Sequence, residues 1–188
     1  MKNFYFLGDS ICYGQWFPVH KNWVSMFSEK IESDGYTVMN CSVIGNTSSQ
    51  GMSRMYHEVL FRDPSYVYVQ FGMNDCNFWD DQKGLPRVSL ELFSENMSEI
   101  KKRVESFGAI PVFGTNHRSQ KNKLYDQNNI DYNKSLRSLC ADLDVDLVDH
   151  ELLIGEKRVV MKDGIHLNEL GHNMYLNNMM KWAQSSLA

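Results

Sequence analysis

Four stretches of the chain carry residues able to do chemistry together: Gly8-Asp9-Ser10, the loop glycine Gly45, Gly72-Met73-Asn74-Asp75, and Asp163-Gly164-Ile165-His166. A serine hydroxyl becomes a working nucleophile when a base takes its proton, a third group orients that base, and donors hold the oxyanion. Ser10 and His166 can fill the first two roles. Asp163 stands three residues before His166, and a short turn can bring its carboxylate to the distal ring nitrogen. Gly45 could lend a backbone N–H with no side chain to crowd a substrate. The Asn74 amide could add a second donor. Singly, each has a plainer reading. Ser10 could cap a helix, Asn74 and Asp75 could form a turn, and His166 could be a surface histidine before a helix. Their joint presence favours the chemical reading.

These residues converge only if the right elements carry them. Phe4 to Leu7 is an apolar run that reads as a buried strand ending in the Gly8-Asp9-Ser10 turn. An aromatic loop follows through Pro18. A helix over about 22–33 places Trp23, Val24, Phe27 and Ile31 on one face. Tyr36 to Val43 reads as the second strand, and the polar loop through Ser49 caps a helix running to about Arg62. Ser65 to Phe71 is the third strand, rich in β-branched and aromatic residues. A polar loop through Pro86 leads to a helix with Phe93, Met97, Ile100 and Val104 on one face. Ala109 to Gly114 is the fourth strand. Thr115 to Asn129, the most polar stretch, reads as a long surface loop. A helix through Ile130, Leu136 and Leu143, a fifth strand over 145–148 and a last helix after Asn168 complete the chain. Alternating strands and helices imply a parallel sheet with helices on both faces. The expectation is one α/β domain over residues 1–188, a three-layer α/β/α sandwich. Parallel strands present their carboxyl ends along one edge, where open α/β sheets bind ligands. Ser10, Gly45 and Asn74 all follow strands.

The four stretches, in this order, resemble the sequence blocks of the SGNH hydrolases, the superfamily also called GDSL-like lipases and esterases. The resemblance runs the whole length of the chain, and the Gly45 block is its least specific part. It implies a flavodoxin-like sandwich of about five parallel strands. It also implies Ser10 as nucleophile, His166 as general base and then acid, and Asp163 as its orienter. The oxyanion hole it implies comes from the Ser10 and Gly45 backbone N–H groups and the Asn74 side chain. Ile11 stands where the superfamily's nickname has leucine, which touches nothing catalytic. The Gly-x-Ser-x-Gly elbow of the α/β-hydrolases is absent from the sequence.

Composition narrows the remaining classes. The 188 residues are 43% apolar and 22% charged, with a formal net charge of −4. That balance, without a dense Lys/Arg tract, argues against a nucleic-acid partner. Lys101-Lys102-Arg103 reads as a solvated helix face. Four scattered cysteines (Cys12, Cys41, Cys76, Cys140) read as free thiols in a reducing compartment. No apolar run reaches the roughly 20 residues of a membrane span, and the short apolar N-terminus lacks the features of a secretory signal. The compartment expected is the cytoplasm. No Walker A loop or dinucleotide fingerprint points to a cofactor. Asp163, His166 and His172 have no further ligand cluster to make a metal site; His172 reads as structural, and His20, His57, His117 and His150 carry no motif.

Three functions fit these features. The first is a serine esterase acting through an acyl-enzyme on a small-molecule ester. The second is an acyltransferase with the same triad, since the acyl-enzyme step is shared. The third is a non-catalytic binder of small molecules or phosphate at loops such as 45–49. Tyr13, Trp16, Phe17, Phe78 and Trp79 lie in loops expected to border Ser10, where they could stack on sugar rings, line an acyl pocket or simply pack. The intracellular reading and the polar loop residues Asn77, Asp80, Asp81, Arg87 and Arg118 point to a short acyl group, acetyl foremost, on a polar or carbohydrate alcohol. Lysophospholipids and thioesters are the alternatives among superfamily substrates.

Overall fold

The structure, a computed structural model, describes residues 2–79 and 83–187. Phe4, Tyr5, Phe6 and Leu7 lie in the first strand, β1 (Lys2–Gly8), and all four are buried. A strand that is apolar at consecutive positions must be covered on both faces. β1 runs between β2 (Tyr36–Asn40) and β3 (Tyr66–Gln70), and β4 (Ile110–Gly114) and β5 (Asp146–Val148) extend the sheet. The order is β2-β1-β3-β4-β5, and every pairing is parallel. The chain steps from β1 to β2 on one side, then returns to β3 on the other. The crevice outside the ends of β1 and β3 is therefore the switch point at which such sheets bind ligands. Ser10 follows β1 and Asn74 follows β3.

The helices are α1 (Ser10–Tyr13), α2 (Trp23–Ile31), α3 (Ser48–Glu58), α4 (Leu90–Ser106), α5 (Lys123–Leu143), α6 (His150–Ile154) and α7 (Glu169–Ser186). Strand side chains alternate between faces. Tyr5, Leu7, Val67 and Val69 pack with Met55 of α3, Met97 and Ile100 of α4, and Leu136 of α5. Phe4, Phe6, Tyr68 and Val112 pack with Phe27 of α2 and with Tyr175 and Met179 of α7. Each fully buried aromatic there contributes roughly 1.5–3 kcal/mol over an exposed one. Two such layers hold the sheet edge rigid.

Caps begin the helices where the sequence places them. Asn22 accepts from the Ser25 N–H, Thr47 and Gln50 form a reciprocal capping box, and Asn168 accepts from the Gly171 N–H. Two expectations need correction. The segment after Ser10 opens as the short helix α1 rather than a loop, and its cap is Asp9, whose carboxylate accepts from the Ile11 N–H at 2.9 Å. Ser10 is thus freed from the capping role. The polar stretch 115–129 is not a surface loop. Thr115, Asn116, His117 and Ser119 are buried, and α5 already begins at Lys123. Most of its buried polar groups pair internally, the Asn116 and Asn129 Oδ1 atoms excepted. Asn129 and Asn133 of α5 donate to the His117 and Asn116 carbonyls, and Asn116 donates to the Phe71 carbonyl. The short helix α6 has too few residues to show a helical period in the sequence. Among the described residues, no helix is long and apolar enough to cross a membrane.

Candidate active site

The Ser10 hydroxyl lies 3.0 Å from His166 Nε2, and His166 Nδ1 lies 2.5 Å from Asp163 Oδ2. A carboxylate only accepts, so Nδ1 carries the proton and Nε2 is left as the acceptor facing Ser10. Asp163 does two jobs from one side chain. Its Oδ1 accepts the Ile165 and His166 backbone N–H groups, which closes the turn, while Oδ2 holds the ring. Burial would raise the Asp163 carboxyl. The His166 ring and those two N–H groups outweigh it and hold the carboxyl below its ordinary value.

The turn is held from beneath. Gly164 has φ +75°, and a Cβ there would sit 2.6 Å from the Gln120–Lys121 backbone, so no other residue fits. Gln120 N–H donates to the Gly164 carbonyl at 2.7 Å. His117, fully buried, places Nε2 2.7 Å from the Ile165 carbonyl and Nδ1 2.8 Å from the Tyr175 hydroxyl. The carbonyl accepts only, so Nε2–H donates to it and Nδ1 accepts from Tyr175. Burial pushes His117 down to about 4, which keeps it neutral and this bonding intact at neutral pH.

On the other side of Ser10, Asn74 Nδ2 donates to Asp9 Oδ2 at 3.0 Å. Asp9 is completely buried, and burial pushes its carboxyl up to about 7 against the bonds from Ile11 and Asn74. Gly45 has φ +76° in open space, with nothing within 4 Å of where a Cβ would stand. Glycine is favoured there by its backbone rather than by crowding. Among the described residues, the Ser10 and Gly45 N–H groups have no acceptor. The loop is tied to the nucleophile segment by Arg54, which donates to the Gly8 carbonyl, the Cys41 carbonyl and the Asn46 side chain. Asp75 serves a structural end, accepting from Ser48 and from the Gly72 N–H. This assembly could activate a serine for attack on an acyl carbon, with the unpaired N–H of Ser10 itself beside the hydroxyl.

A family model for the GDSL-like lipase/acylhydrolase family matches residues 6–174. The chain belongs to that family. An arylesterase of Vibrio mimicus is 28% identical over 105 residues, which cover 55% of this chain and 48% of that protein. An uncharacterised lipoprotein, YqeF, of Bacillus subtilis is 27% identical over 99 residues, covering 53% of this chain and 40% of that protein. The matches thus span under half the length of these curated relatives. The crystal structure of TesA superposes with a TM-score of 0.81 at 19% identity, covering 98% of this chain and 99% of that one, a likeness of fold.

Ser10, His166 and Asp163 are in direct contact, and Asn74 touches the residue preceding Ser10. Gly45 is joined to Asn74 through Arg87 Nη1, 3.2 Å from the Gly45 carbonyl and 3.4 Å from Asn74 Oδ1. The aromatic residues divide. Trp16 is largely exposed with its ring centroid 4.6 Å from that of His166, and Trp79 lies exposed over the Arg87 guanidinium. Phe17 stacks on His172, and Phe78 packs against the core. Arg118 pairs with Asp126, and Asp80 and Asp81 lie outside the described residues. His172 accepts the Trp23 N–H, a structural role, and among the described residues no three His, Cys, Asp or Glu side chains gather as a metal site. The sequence left Asp9 and His117 without a role and named Arg87 only as a loop polar residue. For Asp9 the signal was adjacency to Ser10. Nothing local distinguishes Arg87.

Proposed function

We propose that this chain is a serine esterase that hydrolyses short acyl esters, acetyl foremost, of a polar or carbohydrate alcohol. The observation that carries the reading is the continuous contact Ser10–His166–Asp163, with both links at hydrogen-bond distance. Ser10 Oγ attacks the acyl carbon as His166 Nε2 takes its proton, and the oxyanion is held by the Ser10 and Gly45 N–H groups and the Asn74 amide. His166 returns the proton to the departing alcohol, leaving acyl-Ser10. Water then attacks with the same base, and Ser10 and the acid are released. Asp163 stabilises the imidazolium at each step.

The polar-alcohol preference is supported by the exposed Trp16 and Trp79 indoles near His166 and Arg87, surfaces suited to a sugar ring. The ester class is supported by the family and the arylesterase relative. A reducing, cytoplasmic location is supported by the four free thiols, three of them buried; the lipoprotein relative supports a cell-envelope location instead, and fractionation of the native host decides between them. The test of function is a p-nitrophenyl acyl series from acetyl to decanoyl, with fluorophosphonate labelling of wild type and Ser10→Ala. Labelling of the wild type alone and a maximum at acetyl are expected. Activity retained by Ser10→Ala would sink the mechanism, and a maximum at long chains would replace the substrate class with a lipid or thioester.

A further inference from the structure

We propose that Arg87 is a positioning residue that sets the oxyanion side of this site by bridging Gly45 and Asn74, an inference that rests on the esterase reading. Arg87 Nη1 carries two N–H groups. It lies 3.2 Å from the Gly45 carbonyl and 3.4 Å from Asn74 Oδ1. Both of the guanidinium's hydrogen bonds among the described residues therefore end on the two remote oxyanion donors.

Three consequences follow from donor and acceptor chemistry. First, an amide can sit either way round unless its partners forbid it. Above about pH 7, where the buried Asp9 is ionised, its carboxylate only accepts while the Arg87 guanidinium donates, so Asn74 must turn Nδ2 to Asp9 and Oδ1 to Arg87. One Nδ2 hydrogen is used by Asp9, and the other is left for the substrate. Second, the contact to Oδ1 is long for a strong hydrogen bond, so what it supplies is orientation and charge. A cation at Oδ1 draws density from the amide and makes the free Nδ2–H a better donor. Third, Gly45 stands in open space at positive φ, with no side chain to wedge it. Arg54 grips its loop at Cys41 and Asn46, and Arg87 grips Gly45 itself.

Arg87 is held in turn. Its N–H donates to the Asn77 carbonyl at 2.8 Å, and the next residue, Val88, donates to the Asp75 carbonyl at 3.2 Å. These bonds dock its segment on the turn that carries Asn74. The Trp79 ring covers the guanidinium, with Cζ 5.3 Å from the ring centroid. Since Arg87 is half-buried on a loop, its replacement leaves the core intact.

The test is a double-mutant cycle of Arg87→Met and Asn74→Ala on p-nitrophenyl acetate, reading kcat, KM and Tm, with fluorophosphonate labelling in parallel. Arg87→Met is expected to lower kcat by about 10–100-fold, less than the loss of an oxyanion donor itself. KM should stay within about twofold and Tm should hold, since the donors it aligns act in the transition state. In the Asn74→Ala background the same substitution should cost several-fold less than in the wild type, because the amide it orients is gone and only its hold on Gly45 remains. A wild-type kcat in Arg87→Met, or an equal loss in both backgrounds, overturns the inference. A wild-type chain that neither hydrolyses the ester nor labels at Ser10 overturns the esterase reading, a distinguishable result.

Discussion

The two sides of Ser10 are built in opposite ways. The His166 side is local. Asp163 and His166 lie in one turn, the bonds along it are 2.5 and 3.0 Å, and one long-range contact joins it to Ser10. The Asn74 side is assembled from four separate segments, carrying Asp9, Gly45, Asn74 and Arg87, with bonds of 3.0, 3.2 and 3.4 Å. The turn's own residues set the Asp163–His166 contact, with Gln120 and His117 bracing it from beneath. A composite surface keeps its geometry only while every tie holds. Substitutions on the first side should therefore act sharply at single residues, and those on the second should act in graded, coupled fashion.

The largest effect expected lies on the local side. Asp163→Asn removes the acceptor that fixes Nδ1–H, so the ring can present the wrong tautomer to Ser10. It should lower kcat by about 10⁴-fold, as loss of the corresponding carboxylate does in a serine triad. A drop below tenfold would mean that the His117-supported turn alone orients His166, and the contrast between the sides would weaken.

On the composite side, if the proposed Asn74 amide donates to the oxyanion, Asn74→Ala should lower kcat by about 10²–10³-fold with KM little changed. Asp9→Asn should cost less, about tenfold. The carboxylate accepts from Ile11 N–H on one oxygen and from Asn74 Nδ2 on the other. An amide offers only one acceptor, so its own NH₂ would face that of Asn74. Steady-state kinetics on one short ester suffice for both. An Asp9→Asn enzyme with wild-type kcat would show that Asn74 does not depend on its neighbours.

The same contrast governs what the sequence reveals. The Asp163–His166 contact is legible because a carboxylate and an imidazole three residues apart can meet within one short turn. The sheet is legible because strands such as 4–7 and 66–70 are covered on both faces and so read as apolar runs. Asp9 and Asn74 touch across 65 residues, and no local pattern announces a tie of that kind. Arg87 is placed by main-chain bonds to 75 and 77, which a side-chain pattern does not encode. The stretch 115–122 misleads for a related reason. Polarity in a sequence looks like exposure until the partners, here Asn129, Asn133 and Tyr175, are folded against it.

The finest test separates the sides by the sign of their pH response. Asp9, at the composite side, would ionise near its ordinary 3.8 when unfolded but holds its proton to about 7 in the fold because it is buried. Between those values the folded chain binds more protons, so this group's contribution to stability is lost as pH rises. His117, beneath the local turn, takes a proton near 6.5 when unfolded but only near 4 when folded, again through burial. There the unfolded chain binds more protons, and stability is lost as pH falls from 6.5 towards 4. A tenfold difference in proton affinity between folded and unfolded chain is worth about 1.4 kcal/mol. Tm of Asp9→Asn relative to wild type should thus climb from pH 4 to 7. Tm of His117→Gln relative to wild type should climb in the other direction, from pH 6.5 down to 4. Glutamine keeps a donor for Ile165 and an acceptor for Tyr175 without a titrating ring. His150 and His172, also depressed by burial and by the His117 charge, titrate in both backgrounds and largely cancel; loss of that charge in His117→Gln eases their depression and steepens the second slope. Two relative-Tm curves of the same sign would mean that the two supports of Ser10 do not differ in the protonation that holds them.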